Sequence, residues 1–143
     1  MSEELNNHQI EKIMKGVPNF RGVYSKDTLP DKPNNKESFI VNLQNFFDGE
    51  GTHWVAIYKN KNYEYFDSFG LPPPEEIITY CKGDVEYNSI QIQKMNTDLC
   101  GYYCIYYIRN RVMGRKPIDI LFDFTTKPSE VNAYIVKNFL KVH

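Results

Sequence analysis

Two short apolar runs, Thr52 to Tyr58 and Tyr63 to Ser68, are separated by Lys59-Asn60-Lys61-Asn62. No other feature constrains the fold of this chain as much. The runs are rich in aromatic and β-branched residues, and the polar tetrapeptide between them has turn chemistry, so they read as the two strands of a hairpin. A second constraint is the amphipathic run from Cys100 to Met113, which stops at Gly114. It reads as a central helix whose N-cap is Thr97 or Asp98. Consecutive hairpin strands followed by helices imply an α+β fold, with an antiparallel or mixed sheet packed against that helix, rather than a doubly wound one.

The remaining elements follow from breakers and periodicity. Asn6 to Lys15 is expected to be a helix with Ile10, Ile13 and Met14 on one face and Gly16 as its stop. Val17 to Asn35 reads as loop because Pro18, Pro30, Pro33 and Asn34-Asn35 interrupt it. Ser38 to Leu43 and Asn88 to Gln93 read as strands, with Phe46 to Glu50 a loop between strands. Glu75 to Lys82 is a short helix after Pro72-Pro73-Pro74, Pro117 to Phe124 another, and Ser129 caps a final helix.

A chain of 143 residues with 41% hydrophobic and 24% charged residues has enough apolar material for one core, so one soluble domain over 1–143 is expected. Net charge is −1, and the Lys/Arg residues form no continuous run, which argues against a nucleic-acid footprint. The polar, acidic N-terminus is not a signal peptide, and no apolar run approaches the roughly 18 residues of a membrane span. Three cysteines, an odd number, suit a reducing compartment without structural disulfides. Cys81, Cys100 and Cys104 lack the spacing of zinc ligands, and no metal or cofactor is expected.

Cys100 stands at the start of the central helix, where the helix dipole favours a thiolate. Gly101 beside it leaves room for a substrate backbone. Cys104, one turn further in among Ile105 and Ile108, reads as core. A hairpin turn centred near Asn60 would set His53 opposite Asp67, within reach of a carboxylate–imidazole hydrogen bond. Taken alone, the pair reads more readily as a strand-end histidine and a turn aspartate that caps Gly70. Gln93, seven residues before Cys100, has an amide suited to an oxyanion, with Gln91 as its competitor, though by spacing alone both read more readily as residues of a solvent face. A thiol, an imidazole and a carboxylate together are the parts of an activated nucleophile.

In order, Gly51-Thr52-His53-Trp54-Val55-Ala56, Tyr65-Phe66-Asp67-Ser68-Phe69-Gly70, Gln93 and Leu99-Cys100-Gly101 resemble the adenovirus-type maturation cysteine proteases (adenain-like). More distantly they resemble the SUMO-specific proteases of the same superfamily. Pro18 to Tyr24 is similar to the opening segment of the adenovirus branch. The resemblance implies a papain-like fold and a viral endopeptidase that cuts capsid or core precursors near small or Gly residues, in a compact form of virophage or Maverick type. By position it makes Cys100 the nucleophile, His53 the base and acid, Asp67 its orienter and Gln93 the oxyanion donor, with Trp54 beside the site and Trp54 and Gly101 meeting substrate. It implies a monomer in the virion and infected-cell cytoplasm.

This chain departs from that family in three ways. It has Asp67 where adenovirus enzymes have Glu, it is shorter after the central helix, and it lacks the basic character of a DNA-activated enzyme. Cys81 alone loosely matches the cysteine to which the family's activating peptide attaches, so neither DNA nor that peptide is expected as a cofactor. The rival readings are an isopeptidase for ubiquitin-like modifiers and a non-catalytic capsid-associated module.

Overall fold

The computed structural model describes residues 4–44, 53–95, 97–127 and 130–142. The expected Phe46–Glu50 loop, Gly51-Thr52 at the start of the hairpin and the Ser129 cap lie outside the described residues. The fold is α+β and is built on a five-stranded mixed sheet. The strands are β1 (Phe20–Ser25), β2 (Ser38–Asn42), β3 (Trp54–Lys59), β4 (Tyr63–Phe66) and β5 (Val85–Tyr87), and their order across the sheet is their order in the chain. β1 runs parallel to β2, β2–β3–β4 are antiparallel, and β4 runs parallel to β5.

Helices lie on both faces, which is why β3 is buried from Trp54 to Tyr58 instead of alternating between core and solvent. Trp54, Ala56 and Tyr58 join Ile40 and Phe66 in a core with helices α1 (Asn7–Ile13), α3 (Cys100–Val112) and α5 (Glu130–Val142). Val55 and Ile57 point the other way, into a smaller core with Phe39, Val41, Tyr63, Tyr65 and Ile77 of helix α2 (Glu75–Tyr80). Helix α4 (Pro117–Leu121) follows α3 and packs against it. At the start of α1, Asn6 and Gln9 form a reciprocal capping box.

Three sequence expectations are corrected. The segment expected to be all loop contains β1, an edge strand. All six of its residues are half-buried and its register shifts between Phe20 and Val23, so no alternation marks it. Asn88 to Gln93 is not a strand. The real β5 lies just before it, and the Ile92 and Gln93 amides donate to Ser68 O instead of joining a ladder. The N-cap of α3 is Leu99, which offers no side-chain acceptor, rather than Thr97 or Asp98.

One ion pair holds β4 to α3. Glu64, buried on β4, accepts two hydrogen bonds from Arg111 (Nε to Oε1 and Nη2 to Oε2, each 2.8 Å) and a third from the Tyr107 hydroxyl at 2.8 Å. The guanidinium also lies over the Tyr58 ring, 4.4 Å from its centroid.

Candidate active site

His53 immediately precedes β3 and Asp67 immediately follows β4, so the hairpin brings both to one end of the sheet. The observed register, with Lys59 opposite Tyr63 and Ala56 opposite Phe66, centres the turn on Lys61 rather than Asn60. Continued outward, it sets His53 level with Phe69 and Asp67 level with Val55. The two therefore meet diagonally, not face to face as expected. The diagonal closes because the chain turns sharply at Asp67–Gly70: Gly70 N donates to Asp67 O at 2.8 Å, and Phe69 N donates to the Asp67 carboxylate at 2.8 Å. Gly70 makes this turn at φ +73°, and a Cβ there would lie 2.7 Å from the Ile90 carbonyl carbon, so only glycine fits.

In this arrangement His53 Nε2 lies 3.1 Å from Asp67 Oδ1. The contact is a close ion pair whose N–H is not well directed at the oxygen, and neither ring nitrogen has a properly aligned hydrogen bond. Loose resting contacts of this kind tighten when substrate binds. Phe69 stacks on the imidazole with ring centroids 5.1 Å apart and planes at 26°. Burial is the largest influence on His53 and lowers its pKa. Asp67, then Cys100, outweigh it together and raise the value to about 9.

Cys100 is the first residue of α3, and α3 packs on β3, which carries the sulfur to the His53 end of the sheet. The Trp54 backbone N–H donates to Cys100 Sγ at 3.3 Å. The sulfur thus sits at the N-terminal end of α3 with a backbone N–H directed at it. Cys104 differs: it is fully buried, and burial, then the charges of Cys100 and Asp67, push its thiol well up. Burial also pushes Cys81 up, to about 11, on the opposite face of the sheet.

Gln93 is fully buried. Its Oε1 accepts from Ser68 Oγ at 2.5 Å, and its Nε2 donates to Thr97 O and Oγ1 at 3.1 and 2.9 Å. Gln93 thus ties the turn after Asp67 to the segment leading into Cys100. Gln91 turns away and donates to Gln93 O. The two residues expected to meet substrate both lie packed against Leu5. The Trp54 side chain is buried, with its indole N–H donating to Leu5 O at 3.1 Å. The space beside Gly101 is filled by Leu5 and Ile10, whose atoms a Cβ would meet at 3.3 and 3.5 Å, so this glycine makes room for packing.

Sequence reading missed the Trp54 amide, the Phe69 stack and the role of Leu5. The first is invisible because a backbone donor leaves no residue signature. Phe69 was detectable, since a register one residue later places it opposite His53.

The five-stranded mixed sheet with its packed helices is a fold similar to that of a solved viral cysteine protease. The crystal structure of the African swine fever virus pS273R protease superposes with a TM-score of 0.63 over 93% of this chain and 66% of that one, at 19% identity. The central domain of the uncharacterized Lpg1148 protein of Legionella pneumophila superposes with a TM-score of 0.54 over 97% of each chain, at 13% identity.

By sequence, the chain is distantly homologous to the cysteine protease S273R of African swine fever virus. A Malawi tick isolate's protein is 24% identical over 155 residues, covering 96% of this chain and 54% of the relative. A South African tick isolate's "SUMO-1 cysteine protease S273R" is 28% identical over 107 residues, covering 62% and 38%. The chain therefore spans between 38% and 54% of the length of these relatives. No family model matches the sequence.

Proposed function

We propose that this chain is a thiol endopeptidase of viral maturation, forming a single protease domain that works through Cys100, His53 and Asp67. The observation that carries the reading is that His53 meets the Asp67 carboxylate at 3.1 Å while the amide of the next residue, Trp54, donates to the Cys100 sulfur at 3.3 Å, so all three side chains gather at one end of the sheet. The Cys100 thiolate attacks the scissile carbonyl carbon. The His53 imidazolium gives its proton to the leaving amine as the C–N bond breaks, which leaves a thioester. Water, deprotonated by His53, then attacks the thioester and releases the acid and the Cys100 sulfur. Asp67 holds the ring and offsets its positive charge. Gln93 is assigned the side-chain donor to the oxyanion, which requires one of its N–H groups to turn from Thr97 to the substrate oxygen.

The substrates proposed are capsid or core precursors of the encoding virus, cut next to small or Gly residues by a monomer in the infected-cell cytoplasm or virion. The similarity to adenovirus-type enzymes supports a compact, virophage-like form of that activity without a DNA or peptide activator. Among the described residues no helix is long and apolar enough to cross a membrane. The test is labelling with a thiol-reactive peptide electrophile, together with cleavage of Gly-containing peptides. Cys100→Ser abolishes both while circular dichroism is unchanged, whereas Cys104→Ala keeps both. Cleavage that survives Cys100→Ser would end the proposal.

A second reading has one specific support: relatives carry the name SUMO-1 cysteine protease. An isopeptidase would release a ubiquitin-like modifier from a fluorogenic fusion far faster than it cuts a Gly-rich peptide, and the endopeptidase would do the reverse.

A further inference from the structure

β4 and β5 pair in parallel through Tyr63–Val85, Glu64–Glu86 and Tyr65–Tyr87, and the ladder then ends two residues short of Asp67. Beyond it the pairing continues through a side chain. Asn88 Oδ1 accepts from Asp67 N at 3.1 Å, and Asn88 Nδ2 donates to Asp67 O at 2.7 Å. A carboxamide presents an acceptor and a donor side by side as a peptide group does, so Asn88 grips both backbone polar groups of Asp67 in place of a missing rung. A third bond, Nδ2 to Ile90 O at 3.3 Å, ties the same amide to its own loop. The amide orientation is fixed by its partners, since one N–H needs an acceptor and two carbonyls need donors.

The acid has little else to hold it in place. One of its oxygens, Oδ2, is buried without a hydrogen bond, and among the described residues the other meets Phe69 N and the loosely directed His53. Its aim at the imidazole therefore depends on where the Asp67 backbone stands. Ser68, the next residue, is held at its carbonyl by the Ile92 and Gln93 amides, and Gly70 rests on the Ile90–Gln91 peptide. Gly70 N also donates to Asp67 O at 2.8 Å from within the turn, but among the described residues Asn88 alone grips both the N–H and the carbonyl of Asp67, and it does so from outside the turn.

We propose that Asn88 is a positioning residue for the Cys100–His53–Asp67 chemistry, setting the Asp67 carboxylate against His53 by holding the Asp67 backbone. This rests on the protease reading for its kinetic consequence but not for its structural one. The test compares Asn88→Ala and the near-isosteric Asn88→Asp with Asn62→Ala. Asn62 bridges the same strand pair through Glu86 and does not touch the site. The readouts are the His53 imidazole titration by NMR, assigned by difference with His53→Gln, and kcat and KM on a peptide.

Both Asn88 variants should move the His53 midpoint down from about 9. They should lower kcat about 10–100-fold, the size seen when a group that orients a reactive ligand is lost, and leave KM nearly unchanged. Asn62→Ala should alter only thermal stability. An unchanged midpoint, a shifted midpoint with unchanged kcat in an active enzyme, or unfolding of both Asn88 variants at the assay temperature overturns the proposal. If the wild-type chain cleaves no peptide, it is the protease reading that fails. The titration then still decides whether Asn88 holds Asp67 in place.

Discussion

Glu64 and Asp67 are two buried carboxylates three residues apart on one stretch of chain, and the structure treats them in opposite ways. Glu64 meets a fork of two Arg111 N–H groups and the Tyr107 hydroxyl, so it receives three strong hydrogen bonds. Asp67 receives one well-made hydrogen bond, a contact with an imidazole, and nothing at Oδ2. A buried charge with so few partners is costly unless it is needed for something other than stability. Glu64 fastens β4 to α3 and so fixes the distance between the hairpin and Cys100, while Asp67 keeps an unspent capacity directed at His53.

The contrast is broken most severely by Asp67→Asn. A neutral amide can neither hold nor compensate an imidazolium, so kcat should fall by about 10³–10⁴-fold with little change in Tm. Steady-state kinetics and thermal melts check both halves; a variant that lost mainly stability would make Asp67 a second Glu64. The mirror experiment is Glu64→Ala, which strands Arg111 beneath Tyr58. It should cost about 3–5 kcal/mol in chemical denaturation, and cleavage by the fraction still folded should stay near normal.

A third effect is read in pH. The folded pKa of His53 is raised to about 9, above its ordinary 6.5. Its protonation therefore stabilises the folded state fully below 6.5, and this contribution is lost as pH rises through about 9. Stability of the wild type should decline across that window, and the decline should be muted in Asp67→Asn. Glu64→Gln should leave the profile's shape intact. Cys104→Ala probes the core behind both carboxylates and should cost on the order of 1 kcal/mol without altering the rate. The smallest change expected is that caused by DNA. With a net charge of −1, peptide cleavage at physiological salt should be nearly unaffected; a large stimulation that fades with added salt would reveal a basic patch assembled by folding.

The hairpin, the central helix and the α+β class were legible because each is encoded locally, by turn chemistry, by periodicity and by a glycine stop. Cys100, His53 and Asp67 were legible as residue types, but their geometry was not. A turn one residue later than read changed a facing pair into a diagonal one, and what restored the contact was the tight Asp67–Gly70 turn, which depends on packing against Ile90. β1 stayed hidden because an edge strand with half-buried residues and a register shift shows no alternation. The segment 88–93 carries Ile90 and Ile92 in a strand-like pattern, yet its amides serve the Asp67 turn. Trp54 and Gly101 were read as facing substrate because a sequence does not reveal that Leu5, far away in the chain, lies against both.

The strands stand across the sheet in the order in which they occur in the chain. Each new strand can therefore add to a neighbour already made, a topology that keeps the loops to be closed short and favours rapid assembly. On the ribosome the sheet can form as a growing ribbon from the N-terminal side. Cys100 arrives last of the three candidate catalytic residues, on a helix that must fold back over β3 after His53 and Asp67 are in place. On the proposed protease reading, a half-made chain thus carries an acid and a base without a sulfur to use them, and cleavage would begin only when α3 docks.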